Sequence, residues 1–281
     1  MNGGTATVLA VGAAGRFAGL VVPALAEHGA RVRGFIQDPA QGDAVRDHGA
    51  QEIAVGDLRD RSSLDAAVRG VDAVFYIAPA FQDHEADLGL AMVEAAKAAG
   101  VSRFVFSSVI HPILSALVNH GAKAPVEEAV LASDMEYTFL HPALFFQNLD
   151  QAWPTVAKTS VFAEPWSTDT RFSRVDYRDV AEAAAMALTS DRLNFGTFEL
   201  CAEGDLDRRD VAAMMGDVLG QSVEAQIAHP KGVSAAMQLM FDYYDRHGLL
   251  GSCVTLRAIL GREPRSLRAY FEELAASSKV H

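Results

Sequence analysis

The sequence predicts an α/β fold with a doubly wound parallel sheet and a small, mostly helical C-terminal lobe. Short apolar runs alternate with helical patterns through the first half of the 281-residue chain, and several predicted helices are followed directly by glycine. Such alternation is typical of βαβ units, whose right-handed crossovers place helices on both faces of a parallel sheet. We therefore expect a core over residues 1–150, and over 151–281 a lobe that is not an independent domain, with some segments returning to the core.

The predicted elements of the first half follow one another at short intervals. Strands are expected at Thr5–Val11, Arg31–Ile36, Gln51–Val55, Ala73–Ala78, Arg103–Ser107 and Tyr137–Leu140, and helices at Phe17–His28, Ser63–Arg69 and Glu85–Ala99. Glycines at 29, 70 and 100 end these helices, because glycine accepts the left-handed backbone of a helix C-terminus. The pair Asp38-Pro39 predicts a helix cap followed by a proline in the first turn.

The second half is mostly helical. We expect a helix at Val180–Leu188 capped near Asp179, a strand at Phe195–Cys201, and helices at Arg208–Leu219, Val233–His247 and Leu267–Ala276. No linker rich in proline, glycine or serine separates the two halves, which favours one continuous fold.

Composition argues against several classes of partner. The formal net charge is −12, with 50% hydrophobic and 21% charged residues. A negatively charged chain repels nucleic-acid phosphates and anionic lipid, so neither a nucleic acid nor a membrane is expected as a partner. The N-terminus lacks the basic region of a signal peptide, and Cys201 and Cys253 form no metal-ligand pattern. We predict a cytoplasmic protein with reduced thiols and no metal site.

A glycine-rich segment after the first predicted strand indicates a dinucleotide site. Gly12 allows a sharp turn off the strand, Gly15 removes a side chain where a diphosphate approaches the backbone, and Ala18 suits close packing of helix on strand. The following helix N-terminus favours phosphate through its N–H groups and dipole. The alternative is a glycine-rich turn without a ligand. The residues predicted to contact an NAD(P) cofactor here are Gly12, Ala14, Gly15, Arg16 and Phe17.

Further residues along the predicted sheet edge suit the rest of a nicotinamide dinucleotide. Asp57 can accept a hydrogen bond from the adenine amino group, although capping the loop into Ser62 is its ordinary alternative. Ala78 and Pro79 follow the fourth strand, where we expect the nicotinamide ribose.

The residue at the end of the second strand distinguishes the two nicotinamide cofactors. A carboxylate there binds the ribose 2′-hydroxyl, and a cation there favours a 2′-phosphate. This chain has Gln37, while Arg16 and Arg33 can supply positive charge. We therefore slightly favour NADP over NAD.

Several ordered motifs resemble the NmrA-like family of atypical short-chain dehydrogenases/reductases. They are Gly-Ala-Ala-Gly-Arg at 12–16, Gly-Asp-Leu at 56–58, Val-Phe-Ser-Ser-Val at 105–109, Lys-Ala-Pro-Val-Glu-Glu at 123–128, Tyr-Thr-Phe-Leu-His-Pro-Ala at 137–143, Phe-Gln-Asn at 146–148, Val-Asp-Tyr-Arg-Asp-Val-Ala at 175–181 and Gly-Arg-Glu-Pro-Arg at 261–265. The resemblance implies a Rossmann domain with a small substrate lobe, and a cofactor site to which Leu58 and His141 also contribute.

The family resemblance leaves the function open between two kinds of protein. The resemblance implies either a reductase of quinones, ketones or enones, or a non-catalytic protein that senses the redox state of the nucleotide. This sequence departs from many relatives at Gln37, where they carry arginine, and at Ala18, where they carry glycine. Ordinary short-chain reductases also have a tyrosine four residues before the lysine, where this chain has Asn119 before Lys123.

The candidate catalytic residues are therefore sought among groups other than the usual tyrosine. Ser108 ends the fifth strand, and Lys123 suits the nicotinamide ribose, although it is also spaced to pair with Glu127 one helical turn on. His111 and His120 can act as acids near neutral pH, or serve as histidines bonded to backbone. Asn119 can stabilise an oxyanion but carries no proton to give, and a water molecule held by Ser108 and Asn119 is another proton source.

Aromatic side chains indicate a hydrophobic substrate pocket. We predict a pocket wall from Phe81, Phe145, Trp153 and Trp166, which suits a flat acceptor such as a quinone, with ordinary core packing as the alternative. The apolar stretch 237–244 is expected to pack in the core or to form a homodimer contact, with a substrate lid as a third alternative.

The leading hypothesis is an NAD(P)H-dependent reductase of a hydrophobic carbonyl or quinone. The rival hypothesis is a non-catalytic NAD(P)-binding redox sensor, which the missing tyrosine favours. A third is a redox-neutral epimerase or lyase that retains the nucleotide.

Overall fold

A seven-stranded sheet, largely parallel, forms the centre of the fold. The computed structural model describes residues 5–82 and 84–278. The twelve strands found there are β1 Thr7–Val11, β2 Arg31–Ile36, β3 Glu52–Val55, β4 Ala73–Ile77, β5 Arg103–Ser107, β6 Glu136–Pro142, β7 Leu144–Phe145, β8 Val161–Glu164, β9 Phe172–Val175, β10 Gly196–Leu200, β11 Asp205–Leu206 and β12 Glu224–Ile227.

Helices cover most of the remaining chain. The twelve α-helices of the described residues are α1 Ala18–Glu27, α2 Gly42–Asp47, α3 Arg61–Ala67, α4 Glu85–Ala98, α5 Val118–Gly121, α6 Ala124–Leu131, α7 Trp153–Thr159, α8 Tyr177–Thr189, α9 Arg208–Leu219, α10 Ala235–His247, α11 Val254–Leu260 and α12 Leu267–Ser278. Two short 3₁₀ segments lie at Pro39–Gln41 and Phe146–Leu149. None of these helices is long and apolar enough to cross a bilayer.

The strand order confirms the doubly wound prediction. The central sheet runs β10-β6-β5-β4-β1-β2-β3, and the pairs β1–β2, β1–β4, β2–β3, β4–β5 and β5–β6 are parallel. The chain therefore moves outward on one side of β1 and then starts again on the other side, beginning with β4. This change of direction creates the crevice at the carboxyl edge of the sheet where such folds bind ligands.

The elements predicted in the first half all form, with ends that shift by at most two residues. The sequence patterns do not indicate helices α5, α6, α7 and α11 or the short strands β7, β8, β9, β11 and β12. Among the predicted elements, the helix at Val180–Leu188 has the largest shift. It begins three residues earlier, at Tyr177, so Asp179 lies inside its first turn rather than at its cap. Arg262 and the backbone N–H of Arg265 contact the Asp179 carboxylate, which is why this acid is buried.

The described residues divide into two compact units. The first comprises the residues up to His141 together with Val180–Phe198, and the second comprises Pro142–Asp179 and the residues from Glu199 onward. The first unit contains most of the central sheet. The second is mostly helical, with a three-stranded sheet of β11, β9 and β7 and the parallel pair β12–β8.

Buried apolar residues of the strands explain why the first unit folds around its sheet. All five residues of β5 are buried, as are four of the five in β4. Strands that are covered on both faces favour such continuous apolar runs. Helices α3, α4 and α6 pack their small and aliphatic side chains against this core; its larger buried members include Tyr76, Phe104, Phe106, Met92 and Val126.

A buried arginine fixes the start of β5. The Arg103 guanidinium is bonded to Glu136 at 2.9 Å and to Asp191 at 2.7 Å. It also donates to the carbonyls of Ala187 and Ser190, at 2.9 and 2.7 Å, near the end of α8. Its side chain is 1% exposed. Arg103 thus ties the strand that carries Ser107 and Ser108 to the last helix of the unit.

Replacing Arg103 with alanine is expected to reduce the free energy of unfolding by about 3 kcal/mol, because carbonyls and carboxylates lose a buried donor. Urea unfolding followed by circular dichroism measures the change. The matched control is Arg46→Ala, whose ion pair with Asp43 is solvent-exposed and is worth less than about 1 kcal/mol. Equal effects of the two substitutions would contradict the assignment.

Candidate active site

The carboxyl ends of β1, β4, β5 and β6 lie on one edge of the sheet. Their order makes β4 the neighbour of both β1 and β5, and β5 the neighbour of β6. The glycine-rich loop follows β1, Ala78 and Pro79 follow β4, Ser108 follows β5, and His141 lies near the end of β6. Adjacent strands are about 4.8 Å apart, so these positions form a row along a single edge.

The glycine-rich loop has the shape of a phosphate-binding turn. Gly12 has a φ of +73°, which only glycine adopts readily, and a Cβ on Gly15 would lie 2.9 Å from the Gly12 carbonyl oxygen. Ala14 and Arg16 are exposed, and α1 begins at Ala18. The Arg16 guanidinium lies 5.6 Å from the centre of the Phe17 ring. An exposed turn, a cation and a helix N-terminus fit a diphosphate.

The glycine at position 15 has a structural reason beside the predicted one. The clash of a Cβ with the Gly12 carbonyl would arise without any ligand. The approach of a diphosphate is the reason that the sequence pattern indicates for this glycine. The turn itself therefore explains the residue, and the two explanations are compatible.

The end of β2 carries neutral and paired groups. Gln37 is exposed and donates to Asp57 at 3.2 Å. The Asp57 carboxylate also binds Arg59 at 2.6 Å, and the Arg59 hydrogen bonds lower the pKa of Asp57 to about 2. Asp60, not Asp57, caps α3 by accepting from Ser62. Asp57 nevertheless caps the loop that leads into α3, because its carboxylate accepts the Arg59 N–H at 2.9 Å and its backbone bonds to Ser63 Oγ. The loop-capping alternative is therefore confirmed, and the low pKa of Asp57 keeps its carboxylate ionised.

Arg33 does not reach the end of β2. Its guanidinium binds Glu52 at 2.5 Å and donates to the carbonyls of Ala67 and Arg69, at 2.9 and 2.7 Å. The suggestion that Arg33 supplies charge to a 2′-phosphate is thus wrong. Arg16 in the loop keeps that role as a prediction.

Lys123 forms a buried ion pair with Glu85, the first residue of α4. Their side chains are 7% and 5% exposed. The other carboxylate oxygen of Glu85 accepts the backbone N–H of Phe81 at 3.0 Å. Lys123 stands at the N-terminus of α6, where a cation is unfavourable, and Glu85 neutralises it. The alternative of a solvated lysine paired with Glu127 is therefore wrong.

Glu127 instead joins Ser108 to His141. The Ser108 hydroxyl donates to Glu127 Oε1 at 2.5 Å, and His141 Nε2 lies 2.9 Å from the same oxygen. The pairing of β5 with β6 makes Ser108 and His141 neighbours, since the Ser108 N–H donates to the Leu140 carbonyl. All three side chains are buried or nearly so.

The residues near the missing tyrosine differ in what they can do. His120 is fully buried with Nδ1 3.1 Å from the His111 carbonyl, and burial lowers its pKa to about 4. It is therefore neutral near pH 7, which argues against it as the proton donor. Asn119 lies on α5, with a buried Oδ1 that has no hydrogen-bond partner among the described residues. His111 is half-buried, with a φ of +53°.

A tyrosine does lie near the ion pair, at Tyr76 of β4. It is fully buried, and no described residue bonds its hydroxyl. Burial and the Glu85 charge raise the pKa of Tyr76. A buried phenol that ionises so reluctantly does not replace the missing catalytic tyrosine.

The predicted pocket aromatics separate into two groups. Trp153 stacks on Phe271 at 5.4 Å, and Trp166 packs between Phe172 and Tyr244, so both tryptophans belong to the core of the second unit. Core packing, the alternative weighed for them, is what the structure shows.

The two phenylalanines are more accessible. Phe145 is half-buried against Tyr177, and Phe81 is 49% exposed with a φ of +62°. In the stretch 237–244, Met240 and Phe241 are buried, as core packing predicts.

Glu85 and Glu127 are site members that the sequence patterns do not predict. The only sequence signal for Glu127 is its spacing from Lys123. Glu85 is 38 residues from Lys123, and no local pattern signals that contact. Among the described residues, no cluster of three or more histidine, cysteine or acidic side chains is arranged to hold a metal ion.

The fold and the edge of the sheet define a Rossmann-type α/β protein. The chain belongs to the NmrA-like family, which matches it over residues 4–270. It is 28% identical over 284 residues to an NAD(P)H azoreductase of Xenophilus azovorans, covering 96% of this chain and 98% of that protein.

Solved structures share the whole fold. A triphenylmethane reductase of Citrobacter sp. superimposes with a TM-score of 0.85 at 18% identity, covering 96% of this chain and 99% of that one. The NADPH complex of an Escherichia coli quinone oxidoreductase gives 0.84 at 21%, covering 95% and 99%. Nmra, a negative transcriptional regulator in complex with NAD, gives 0.77 at 17%, covering 98% and 97%. At such identities these likenesses establish the fold alone.

Replacing Lys123 with methionine is expected to reduce the free energy of unfolding by about 3–5 kcal/mol, because Glu85 stays buried without its cation. Adding Glu85→Gln should recover part of that loss, as expected of two residues in contact. Urea unfolding measures both changes. Lys97→Met, at an exposed position, is the control and should change the free energy of unfolding by less than about 0.5 kcal/mol. An equally small change in Lys123→Met would refute the buried ion pair.

Acid is expected to destabilise the protein through His120. The unfolded chain takes up a proton on this residue near its ordinary pKa of 6.5, whereas the folded chain does so only near 4. Stability from neutral His120 is therefore complete above pH 6.5 and falls by about 3 kcal/mol as the pH drops to 4. Unfolding free energies at several pH values should show a shallower slope for His120→Gln. An unchanged slope would disprove the assignment.

Proposed function

We propose that this chain is an NAD(P)H-dependent reductase that transfers a hydride to a hydrophobic carbonyl or quinone. The observation that carries the proposal is the row of groups along one sheet edge. A glycine-rich turn follows β1, the buried Glu85 follows β4, the buried Ser108 and Lys123 follow β5, and the buried His141 lies near the end of β6. In open α/β folds, ligands bind in the crevice at the carboxyl ends of the strands.

The residues of the loop would hold the cofactor. Its diphosphate would lie on the turn at Gly12–Gly15 and the start of α1, with Arg16 adding positive charge, and Phe17 and Leu58 nearby. The adenosine end would face Gln37 and Asp57, and the nicotinamide end would face Ala78 and Pro79. When bound, the reduced nicotinamide supplies the hydride.

We keep the slight preference for NADP over NAD. The exposed Arg16 supports this preference, as does the NADPH bound in the structure of the Escherichia coli quinone oxidoreductase. Arg33 does not support the preference, because it is bound to Glu52 and not available to a ribose 2′-phosphate.

The remaining residues would bind and orient the acceptor. Lys123, neutralised by Glu85, would hold the nicotinamide ribose with another of its three N–H groups. Ser108 would contact the acceptor oxygen, and the exposed Phe81 would cover an apolar acceptor. Holding hydride donor and acceptor in contact supplies much of the rate in such reactions. A small hydrophobic substrate fits these groups, and a homodimer stays a prediction.

A redox sensor is the second candidate function. Asn119 stands in the place of the usual proton donor, and Nmra, whose structure contains NAD, has the same fold. A sensor binds oxidised and reduced nucleotide with different affinities and releases no product. An epimerase or lyase stays a prediction, since no contact among the described residues of the first unit favours it over a reductase.

The deciding experiment follows NADPH and NADH absorbance with a panel of quinones, aromatic ketones, an azo dye and a cationic triarylmethane dye. We expect acceptor-dependent oxidation of the nucleotide. Ala14→Asp places a negative charge on the exposed turn and should weaken NADPH binding at least about tenfold, because two like charges near 4 Å repel strongly at a protein surface. Fluorescence titration measures the affinity.

Ala14→Ser is the matched control, since it changes the same position without adding charge. It should bind NADPH within about threefold of the wild type. No oxidation of either nucleotide with any acceptor, together with unequal affinities for NADP⁺ and NADPH, would favour the sensor instead. If Ala14→Asp binds NADPH as tightly as the wild type does, the proposed placement of the diphosphate on this turn is wrong.

A further inference from the structure

A chain of hydrogen bonds in the first unit links an imidazole to the serine of the candidate site. Ser108 and His141 both contact Oε1 of Glu127, at 2.5 and 2.9 Å. The three side chains come from the end of β5, from α6 and from β6. Glu127 thus lies between the other two, unlike a catalytic triad, in which the imidazole is central.

The central carboxylate decides what the serine can do. A hydroxyl has one proton, and an ionised carboxylate only accepts. While Glu127 is ionised, Ser108 donates to it and has no proton left for an acceptor oxygen. If Glu127 receives a proton from the imidazolium of His141, it becomes the donor, and the Ser108 proton is released toward the acceptor.

We propose that Ser108, Glu127 and His141 form a proton relay that takes the place of the missing tyrosine. The inference rests on the proposed reductase function and names its proton source. As the hydride and its electron pair reach the acceptor, the acceptor oxygen becomes an anion. Ser108 gives its proton to that oxygen, Glu127 gives one to Ser108 Oγ, and His141 gives one to Glu127.

The sum of these steps balances. The acceptor gains one hydride and one proton, the nicotinamide is oxidised by two electrons, and His141 changes from imidazolium to neutral imidazole. A solvent proton then restores the imidazolium. Ser108 and Glu127 end each cycle in the state in which they began, so the relay consumes no further reagent.

Two other groups near the row are poor substitutes for His141. The low pKa of His120 keeps it neutral, and its Nδ1 is held by the His111 carbonyl. Lys123 is bound to Glu85 in a buried pair. His141 is the imidazole that contacts both a carboxylate and, through it, the serine.

The test compares two acceptors that differ in their need for a proton, and each variant is compared with the wild type for both acceptors. A quinone requires a hydride and a proton, whereas a cationic triarylmethane dye takes a hydride at its central carbon and becomes neutral. Single-turnover absorbance measurements give the rate of nucleotide oxidation with each acceptor. The ratio of the quinone rate to the dye rate isolates proton delivery from cofactor binding and hydride transfer.

The relay predicts that Glu127→Gln lowers this ratio at least tenfold, since general acid catalysis contributes about 10²–10⁴ in rate. Glu128→Gln, the same substitution at the exposed neighbouring position, should leave the ratio within about twofold. His141→Gln is the second variant. Its amide can still donate to Glu127 but carries no proton to transfer, so the ratio should fall in the same way.

A measurement on the nucleotide-free protein checks the contact independently of activity. In ¹⁵N–¹H spectra, the Nε2–H resonance of His141 should move upfield in Glu127→Gln and stay in place in Glu128→Gln. A resonance that both variants leave unchanged would overturn the contact on which the relay depends.

The outcomes separate the two proposals. A wild-type protein that reduces no acceptor overturns the reductase function and the relay with it. A wild-type protein that reduces both acceptors, with a ratio that stays within twofold in Glu127→Gln and His141→Gln, overturns the relay and leaves the reductase function standing. Equal slowing with both acceptors gives Glu127 a purely structural role and also overturns the relay.

Discussion

One buried and one largely buried carboxylate organise the candidate site of this protein, because a charge removed from water must have partners. Glu85 is bound by Lys123 and by the N–H of Phe81, and Glu127 by Ser108 and His141. Each carboxylate joins groups from separate elements of the first unit. The loop after β4, the ends of β5 and β6, and the start of α6 are thereby held together by charge-assisted hydrogen bonds, which are stronger than neutral ones.

The two contacts of Glu85, with Lys123 and with the N–H of Phe81, explain unusual features of the local structure. A lysine at a helix N-terminus opposes the helix dipole, yet Lys123 is placed there and buried. Glu85 supplies the opposite charge from α4, so the position becomes compatible with burial. The positive φ of Phe81 lies in the loop whose N–H contacts the other oxygen of Glu85. Glu85 therefore contacts both the lysine 38 residues away and the strained loop four residues before it.

The absent tyrosine shifts attention from a single acid to a connected set of groups. In this chain the phenol of Tyr76 is buried in the core, with a raised pKa. Ser108 remains at the end of β5, but its hydroxyl is committed to Glu127. In the proposed relay, the proton that Ser108 can give depends on the protonation of Glu127, and this hydrogen bond is its physical basis.

The sequence by itself determined the strand–helix alternation of the first half, the glycine-rich turn and the positions of Ser108 and Lys123. These features follow from patterns within a few residues of one another: apolar runs, helix-ending glycines, and a glycine that permits a positive φ at position 12. Family motifs along the chain added the expectation of a nicotinamide cofactor.

Only the tertiary structure decided which charges meet. Lys123 pairs with Glu85 rather than with Glu127 four residues away, and His120 is buried rather than free to act as an acid. The tryptophans likewise proved to be core residues of the second unit, because an aromatic side chain suits a core and a pocket equally well. Local spacing limits which partners a residue can reach, but packing between distant elements selects one of them and sets how much water remains around it.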